Sequence, residues 1–221
     1  MKYKCLILDH DDTVADSSAT IHYPAHLEIM RRFRPNLKPV DLETWFLKNF
    51  DPGIAIFLTE ELGLSKKELS EEYRIWQEFT KSRIPKFYPG MADLLKRYKE
   101  AGGIITVVSH SERNIIIRDY HKNAEFKPDL IFGWDFDENK RKPHPYPVYE
   151  ILKTFKLKPE EALVIDDLKP AVLMARESGV SVGGAGWAHN IKQIKEYMVR
   201  ECDFYFSSIK DLSTFLFGGT K

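Results

Sequence analysis

Apolar residues follow two different patterns along this chain, and the patterns divide it into two regions. Six short runs of mostly continuous apolar residues indicate buried strands, because helices on both faces of a parallel sheet exclude water from both sides of each strand. These runs are residues 4–8, 104–108, 130–132, 162–165, 180–182 and 204–206. From residue 89 onward they alternate with helical segments, which predicts an α/β fold.

Proline, glycine and capping residues indicate where helices begin and end. A helix is predicted over 89–101, between Pro89 and Gly102, and another over 170–178, between Pro170 and Gly179. Three segments have the spacing of a capping box: Ser65-Lys-Lys-Glu68, Asn190-Ile-Lys-Gln193 and Ser208-Ile-Lys-Asp211.

Residues 17–86 have helical periodicity and no convincing strand. The apolar stripes predict the core of a helical region, and they are Ile54, Phe57, Leu58 and Leu62, then Leu69, Tyr73, Trp76 and Thr80. We therefore expect an all-helical domain at 17–86, inserted into an α/β domain made of residues 1–16 and 87–221.

Composition and charge exclude several classes of partner and location. The 221 residues include 33 Lys and Arg against 33 Asp and Glu, so nothing favours a nucleic-acid partner, which would require a basic face. Cys5 and Cys202 do not make a disulfide framework, which indicates a reducing cytoplasm. No apolar run approaches the ~20 residues of a membrane span, and the first run ends at Asp9, so we expect a soluble protein without a signal peptide.

Carboxylates follow two of the predicted strands. Asp9, Asp11 and Asp12 follow the first strand, and Asp166 and Asp167 follow the run at 162–165. Ligands bind at the carboxyl edge of an open parallel sheet, so these acids converge if the two strands are neighbours. Converging carboxylates suit a hard divalent cation such as Mg²⁺, whereas acids far apart would be helix caps or solvated side chains.

Two other strand-end features point to an anion. Ser109 follows the run at 104–108, where a helix begins near Glu112, and amides and a hydroxyl at a helix start can bind an anion. Lys142 begins a Lys-Pro-His-Pro segment whose prolines stiffen the backbone around it. Taken alone, Ser109 would be a helix cap and Lys142 a surface lysine.

The order of these features resembles the haloacid dehalogenase superfamily. The matching motifs are Asp9-His-Asp11-Asp-Thr13, Ser109, Lys142 in KPHP, and Asp166-Asp167 in VIDDLKPAVLMARESGV. The segment YPGMADLLKRYKEAGG is similar to the run that leads from a helical cap into the core. The resemblance implies a Rossmann-like parallel sheet with an inserted helical cap, as in the branch of phosphoglycolate phosphatases and beta-phosphoglucomutases.

The resemblance also implies catalytic roles. Asp9 would be the nucleophile that forms an aspartyl-phosphate, and Asp11 would be the general acid and then the general base. Ser109 and the amide of His110 would bind phosphoryl oxygens, and Lys142 would balance the charge of the transition state.

A magnesium site is implied by the same resemblance. Mg²⁺ would be held by the Asp9 carboxylate, the main-chain oxygen of Asp11 and the pair Asp166 and Asp167, of which Asp167 is the favoured direct ligand. Thr13 would keep the loop after the first strand in shape.

Some positions distinguish this chain from its relatives. An acid at Asp11 points to phosphate esters, because the dehalogenases and phosphonate-cleaving members lack one there. Asp12 stands where Gly is most common, and His110 and Ala171 replace a frequent Asn and a frequent acid. His10 is expected to point away from the site, since alternate residues of an extended segment face opposite ways.

A helical cap implies that water is excluded and that the substrate is a small phosphorylated metabolite. His22, His26, Arg31 and Arg32 are polar and near the hinge, but each is expected on the solvated surface. The sequence thus predicts a Mg²⁺-dependent phosphatase acting through an aspartyl-phosphate. A phosphomutase acting on a sugar phosphate, or a non-catalytic binding or regulatory module, remains open, as does the oligomeric state.

Overall fold

The computed structural model describes residues 1–218 and divides the chain into two compact units. The α/β unit comprises Met1–Ala15 and the chain from Lys86 onward, and the helical unit comprises Asp16–Pro85. Within residues 1–218, no helix is both long and apolar enough to cross a membrane. Cys5 and Cys202 are both free thiols, as predicted.

Six parallel strands form the sheet of the α/β unit, and each corresponds to a predicted run. They are β1 (Cys5–Leu8), β4 (Ile104–Val108), β5 (Leu130–Phe132), β6 (Ala162–Asp166), β7 (Ser181–Ala185) and β8 (Phe204–Phe206), while β2 (Ala15–Asp16) and β3 (Lys86–Phe87) have two residues each. The strand order is β5-β4-β1-β6-β7-β8. Leu8 of the central strand β1 is in register with Val107 of β4 and Ile165 of β6, so the loops after these three strands begin at one edge.

Four α-helices make up most of the helical unit. They are α1 (Tyr23–Phe33), α2 (Leu42–Phe50), α3 (Ile54–Ile56) and α4 (Lys66–Ser82), with π-helical segments at Ser18–His22 and Phe57–Glu61. The capping box at the start of α4 is confirmed, because Ser65 Oγ accepts from Glu68 N and Glu68 Oε2 accepts from Ser65 N. Gly63 ends the preceding segment with φ of +61°, a value that glycine adopts at little cost.

Six further α-helices belong to the α/β unit. They are α5 (Met91–Glu100), α6 (Arg113–Ala124), α7 (Tyr146–Phe155), α8 (Lys169–Ser178), α9 (Lys192–Glu201) and α10 (Ile209–Phe217). The cap at Ser208 is confirmed, because its side chain accepts from Asp211 N. The capping box predicted at Asn190 is wrong: Ile191, with extended backbone, occupies the N-cap position, so the helix starts too late for Asn190 to cap it.

Apolar side chains fill the interior of both units. Leu6 and Leu8 of β1 belong to the α/β core together with Leu95 and Tyr98 of α5, and all four are almost completely buried. In the helical unit, Leu58 and Ile75 are buried in a smaller cluster. Ile54, Leu58 and Leu62 of the first predicted stripe and Leu69 of the second belong to or pack against this cluster. Tyr73 and Trp76 of the second stripe are partly buried outside it.

The four polar candidates near the hinge have different environments. Arg31 and Arg32 are exposed, as predicted, and both pair with Glu28. The expectation that His26 lies on the surface is wrong. It is fully buried because it falls on the face of α1 that Ala25, Ile29 and Met30 direct inward. His22 is partly buried and accepts a hydrogen bond from Trp76 Nε1 at 2.9 Å.

Candidate active site

Three carboxylates meet at the carboxyl edge of the sheet. Asp9 follows β1, Asp166 ends β6 and Asp167 follows it, and β1 and β6 are hydrogen-bonded neighbours. One oxygen from each of the three carboxylates lies within 4.8 Å of the other two. All three residues are 5% exposed or less. The sequence analysis predicted that these acids converge if their two strands are neighbours, and the strands are neighbours.

Lys142 supplies a positive charge to this group of acids. It lies just before α7 and is 6% exposed, and its Nζ is 2.8 Å from Asp9 Oδ1 and 2.6 Å from Asp166 Oδ2. Burial by itself would lower the pKa of Lys142, but the negative charges of Asp166 and Asp9 outweigh it and raise the pKa, so the ammonium stays charged. The carbonyl oxygen of Lys142 is 2.9 Å from His110 Nε2, which connects the loop after β4 to the segment before α7.

One lysine does not compensate three buried carboxylates. Burial, and then repulsion from Asp9, raises the pKa of Asp167 to about 7. Burial also raises the pKa of Asp166 well above its usual value, despite the nearby lysine. Asp167 Oδ2 is buried and has no hydrogen-bond partner among residues 1–218. A divalent cation fits these residues, because it would bind hard oxygen donors and supply the missing positive charge.

The carboxylate of Asp11 lies apart from the three acids, against the hydroxyls that follow β4. Its Oδ2 accepts from Ser111 Oγ at 2.5 Å and more weakly from Ser109 Oγ at 3.5 Å. Ser109 Oγ in turn accepts from the amide of Ser111 at 3.1 Å. Sequence reasoning did not select Ser111, although its spacing of two residues from Ser109 was visible in the loop.

His10 points away from the site, as the alternation of an extended segment predicts. It is fully buried, and its Nε2 is 3.1 Å from Asp119 Oδ2, while Arg118 Nε donates to Asp119 Oδ1. Burial lowers the pKa of His10, but the hydrogen bond to Asp119 and the negative charges of Asp11, Asp119 and Asp9 together outweigh this effect and raise it. Asp119 lies on α6, 109 residues from His10, so no local motif indicated the pair.

The turn that follows Asp11 has a backbone conformation that explains the residue found at position 12. Asp12 has φ of +60°, in the left-handed region where glycine is favoured and aspartate is tolerated. Its amide donates to Ala15 O at 2.7 Å, which closes the turn. Relatives most often have glycine at this position. Aspartate is one of the few other residues that can adopt the same backbone conformation.

Thr13 and two residues from the loop after β7, Trp187 and His189, complete the surroundings of Asp167. Thr13 Oγ1 donates to Asp167 Oδ1 at 3.1 Å, and Trp187 Nε1 donates to the carbonyl oxygen of Thr13 at 2.9 Å. His189 Nε2 lies 3.6 Å from Asp167 Oδ2. Sequence analysis missed Trp187 and His189 because only the order of the strands brings their loop to this edge.

The chain is similar in sequence to known hydrolases. A family model of haloacid dehalogenase-like hydrolases matches residues 6–185. The chain is 23% identical over 197 residues to the phosphoglycolate phosphatase of Vibrio vulnificus (strain CMCP6), covering 85% of each chain.

Solved structures share the fold. A predicted phosphoglycolate phosphatase from Haemophilus somnus 129PT superposes with a TM-score of 0.76 at 18% identity, covering 98% of this chain and 99% of that one. A haloacid dehalogenase-like hydrolase from Streptococcus pneumoniae superposes with a TM-score of 0.73 at 21% identity, covering 99% of both chains. The parallel sheet agrees with the match of the family model over residues 6–185, and the chain belongs to the haloacid dehalogenase-like hydrolase family.

Proposed function

We propose that this enzyme is a Mg²⁺-dependent phosphatase that hydrolyses a small phosphorylated metabolite through a phosphoenzyme formed on Asp9. The observation that carries this proposal is the contact of Asp9 with Lys142 in a buried group of three acids. Perturbed ionisable groups that converge at one sheet edge are typical of an active site. The relative in Vibrio vulnificus is named a phosphoglycolate phosphatase, which supports the same class of reaction.

Asp9 is the proposed nucleophile. One of its carboxylate oxygens bonds to phosphorus while the bond between phosphorus and the leaving oxygen breaks, which gives an aspartyl-phosphate and an alcohol. Lys142 touches Asp9 at 2.8 Å and reduces the repulsion between that carboxylate and the phosphate dianion.

Asp11 is the proposed general acid and base. It gives a proton to the leaving oxygen and then takes one from the water that attacks the phosphoenzyme, so it returns to its initial protonation state after each turnover. The hydroxyls of Ser111 and Ser109 orient its carboxylate.

The phosphoryl oxygens are proposed to bind at the loop after β4. Ser109 Oγ and the amide of His110 are donors there, and Lys142 contributes positive charge from the neighbouring segment. His110 Nε2 lies 2.9 Å from Lys142 O, within hydrogen-bond distance, and this contact holds the two segments of the proposed anion site together.

The metal ligands are proposed to be the carboxylates of Asp9, Asp166 and Asp167 and the main-chain oxygen of Asp11. When bound, Mg²⁺ would stabilise negative charge on the phosphoryl oxygens. Thr13 orients Asp167 through its hydrogen bond to Oδ1.

Substitution of the nucleophile tests the mechanism. Asp9→Asn should lower phosphate release from an aryl phosphate at least about a thousandfold, since an amide oxygen is a poor nucleophile and the phosphoenzyme cannot form. The matched control is Asp93→Asn, an exposed aspartate in α5, which should retain wild-type turnover. An Asp9→Asn enzyme with substantial activity and an unchanged circular dichroism spectrum would refute the mechanism.

Product analysis separates this proposal from its alternatives. A phosphatase releases inorganic phosphate without any added bisphosphate, and rapid acid quench should leave a phosphate adduct on the peptide that contains Asp9. Phosphoryl return to a sugar phosphate in place of release would identify a phosphomutase. Mg²⁺ binding without turnover on a panel of phosphorylated metabolites would identify a non-catalytic module.

A further inference from the structure

Three side chains at the carboxyl edge of the α/β unit form a cluster outside the roles described above. The indole of Trp134 is 37% exposed, and the guanidinium carbon of Arg141 lies 3.9 Å from its ring centroid. The exposed ring of His110 meets the indole edge-on, with ring centroids 5.9 Å apart. We call these three residues, His110, Trp134 and Arg141, the Trp134 platform.

The platform is held in place by main-chain contacts. The amide of Trp134 donates to Ser111 O at 2.9 Å, and Asp135 Oδ1 accepts from Arg113 N at 3.1 Å. A Cβ atom at Gly133 would lie only 2.7 Å from Ser111 O, so the two backbones approach as closely as glycine permits. The loop after β5 is therefore fixed against the start of α6.

The platform adjoins the proposed phosphate site through the chain itself. His110 follows Ser109 and Arg141 precedes Lys142, so these two members are each next to a residue proposed to bind the phosphoryl group, and Trp134 contacts both of them. The contact between His110 Nε2 and Lys142 O keeps the two segments together. The two chain segments that contribute the proposed phosphate site therefore also contribute two members of the platform.

Arg141 forms no ion pair with any carboxylate among residues 1–218. The neighbouring Lys140, by contrast, pairs with Asp137 at 2.7 Å. The Nε atom of Arg141 is buried and has no hydrogen-bond partner there. A guanidinium stacked on an indole still presents its N–H groups at its edge, where they match carboxylate or phosphate oxygens.

We propose that the Trp134 platform binds a second anionic group of the substrate, on the far side of the leaving oxygen from the phosphate. The substrate class is then a phosphate monoester whose alcohol portion carries a carboxylate or another phosphate. This inference rests on the proposed phosphatase function, because it places the scissile phosphate at Ser109 and Lys142.

Direct binding of non-hydrolysable ligands tests the platform without relying on turnover. Phosphonoacetate and methylenediphosphonate carry a second anion, as a carboxylate and as a phosphonate respectively, and ethylphosphonate has no second anion. Calorimetry with Mg²⁺ present should show at least one of the first two binding the wild-type enzyme about tenfold more tightly than ethylphosphonate, a difference of ~1.4 kcal/mol. The ligand with the higher affinity shows whether the second anionic group of the substrate is a carboxylate or a phosphate.

Substitutions test whether Arg141 is the source of this difference in affinity. Arg141→Gln removes the charge but keeps a stem over Trp134, and it should abolish most of the tenfold preference, while Arg141→Lys should retain part of it. The matched control is Lys140→Gln, an adjacent cation paired on the surface, which should retain the whole preference.

Several outcomes would overturn the inference. They are equal affinity of the wild-type enzyme for all three ligands, no measurable binding of any ligand, or an equal loss of preference in Arg141→Gln and Lys140→Gln. Aryl-phosphate hydrolysis, measured separately, tests the proposed function. An enzyme that hydrolyses the aryl phosphate but lacks the preference disproves only the platform, whereas preference without hydrolysis of any phosphate ester disproves the phosphatase.

Discussion

The acidic edge of the α/β unit and the interior of the helical unit bury polar groups in opposite ways. At the edge, the carboxyl groups of Asp9 and Asp166 each contact the ammonium of Lys142. In the helical unit, the buried ring of His26 stacks on Trp45 with centroids 4.5 Å apart, and neither of its ring nitrogens has a hydrogen-bond partner among residues 1–218. Burial lowers the pKa of His26 to about 4, so the ring is neutral at physiological pH.

The difference separates a functional environment from a structural one. Buried charge costs free energy unless it is paired, and at the edge the pairing is incomplete, since one lysine faces three carboxylates. Buried ionisable groups with incomplete pairing are typical of a functional site. His26 is neutral and packs against aromatic rings, so no buried charge needs a partner there, and its role is structural.

The two regions should therefore respond to pH in opposite directions. Deprotonation of Asp167 penalises the folded state at the edge, whereas protonation of His26 penalises it in the helical unit. The variants below test each half of this comparison.

The largest expected effect is that of removing the buried cation. Lys142→Met leaves Asp9 and Asp166 without their positive partner, which should lower the free energy of unfolding by about 3–5 kcal/mol at pH 8. The loss should be smaller at pH 5.5, where the carboxyl groups can take up protons. Urea unfolding at both pH values measures it, and Lys140→Met, which removes an exposed lysine, should cost less than about 1 kcal/mol. Equal losses in the two variants would contradict the comparison.

A smaller effect is expected from pH and Mg²⁺ at the acidic edge. The pKa of Asp167 is about 7 in the folded protein, above its ordinary value of 3.8, so the folded state holds this proton more tightly than the unfolded state. The contribution of Asp167 therefore falls as pH rises from about 4 through 7.

Mg²⁺ should offset this loss. At a concentration of a hundred times its dissociation constant it should add ~2.7 kcal/mol, with a larger increment at pH 8 than at pH 5.5, where it competes with protons. Thermal unfolding with Mg²⁺ and with a chelator measures the increment, and Asp167→Asn should reduce it. A Mg²⁺ increment that is independent of pH would contradict the expectation.

The smallest effect is expected in the helical unit. The pKa of His26 is about 4 in the folded protein against 6.5 ordinarily, so its contribution is complete above pH 6.5 and is lost as pH falls toward 4. The loss should be roughly 2 kcal/mol. His26→Phe should lie within about 1 kcal/mol of wild type at pH 8 and should lack this loss in acid, because a phenyl ring does not titrate.

Urea unfolding between pH 8 and pH 5 measures the effect, with the exposed His121→Phe as control. The control should retain the wild-type pH dependence. If His26→Phe loses stability in acid as steeply as wild type, protonation of His26 is not its cause.

Much of the fold could be predicted from the sequence because its signals are local. Continuous apolar runs marked all six strands of the sheet, and Pro170 and Gly179 marked a helix that lies at Lys169–Ser178. Asn190 shows the limit of such signals, since its spacing fits a capping box but the backbone of Ile191 begins the helix one residue later.

The candidate site could be predicted only in part. The residue types and order of Asp9, Ser109, Lys142 and Asp167 pointed to the chemistry of a phosphate and a cation. Trp187 and His189 were not predicted, because only the order of the strands brings their loop to the site. Outside the site, His26 was expected at the surface and is buried, because histidine is compatible with both a polar surface and an aromatic interior.

The sequence by itself determined which strands are followed by acids or a hydroxyl and which helix is preceded by a lysine, because these are properties of neighbouring residues. Only the tertiary structure decided that β1 lies between β4 and β6, which brings the three acids within 4.8 Å of one another. It also decided the partners that are distant along the chain, such as Asp119 for His10 and Trp187 for Thr13. The physical reason is that strand order and side-chain pairing minimise the free energy of the whole packed unit, which no local pattern encodes.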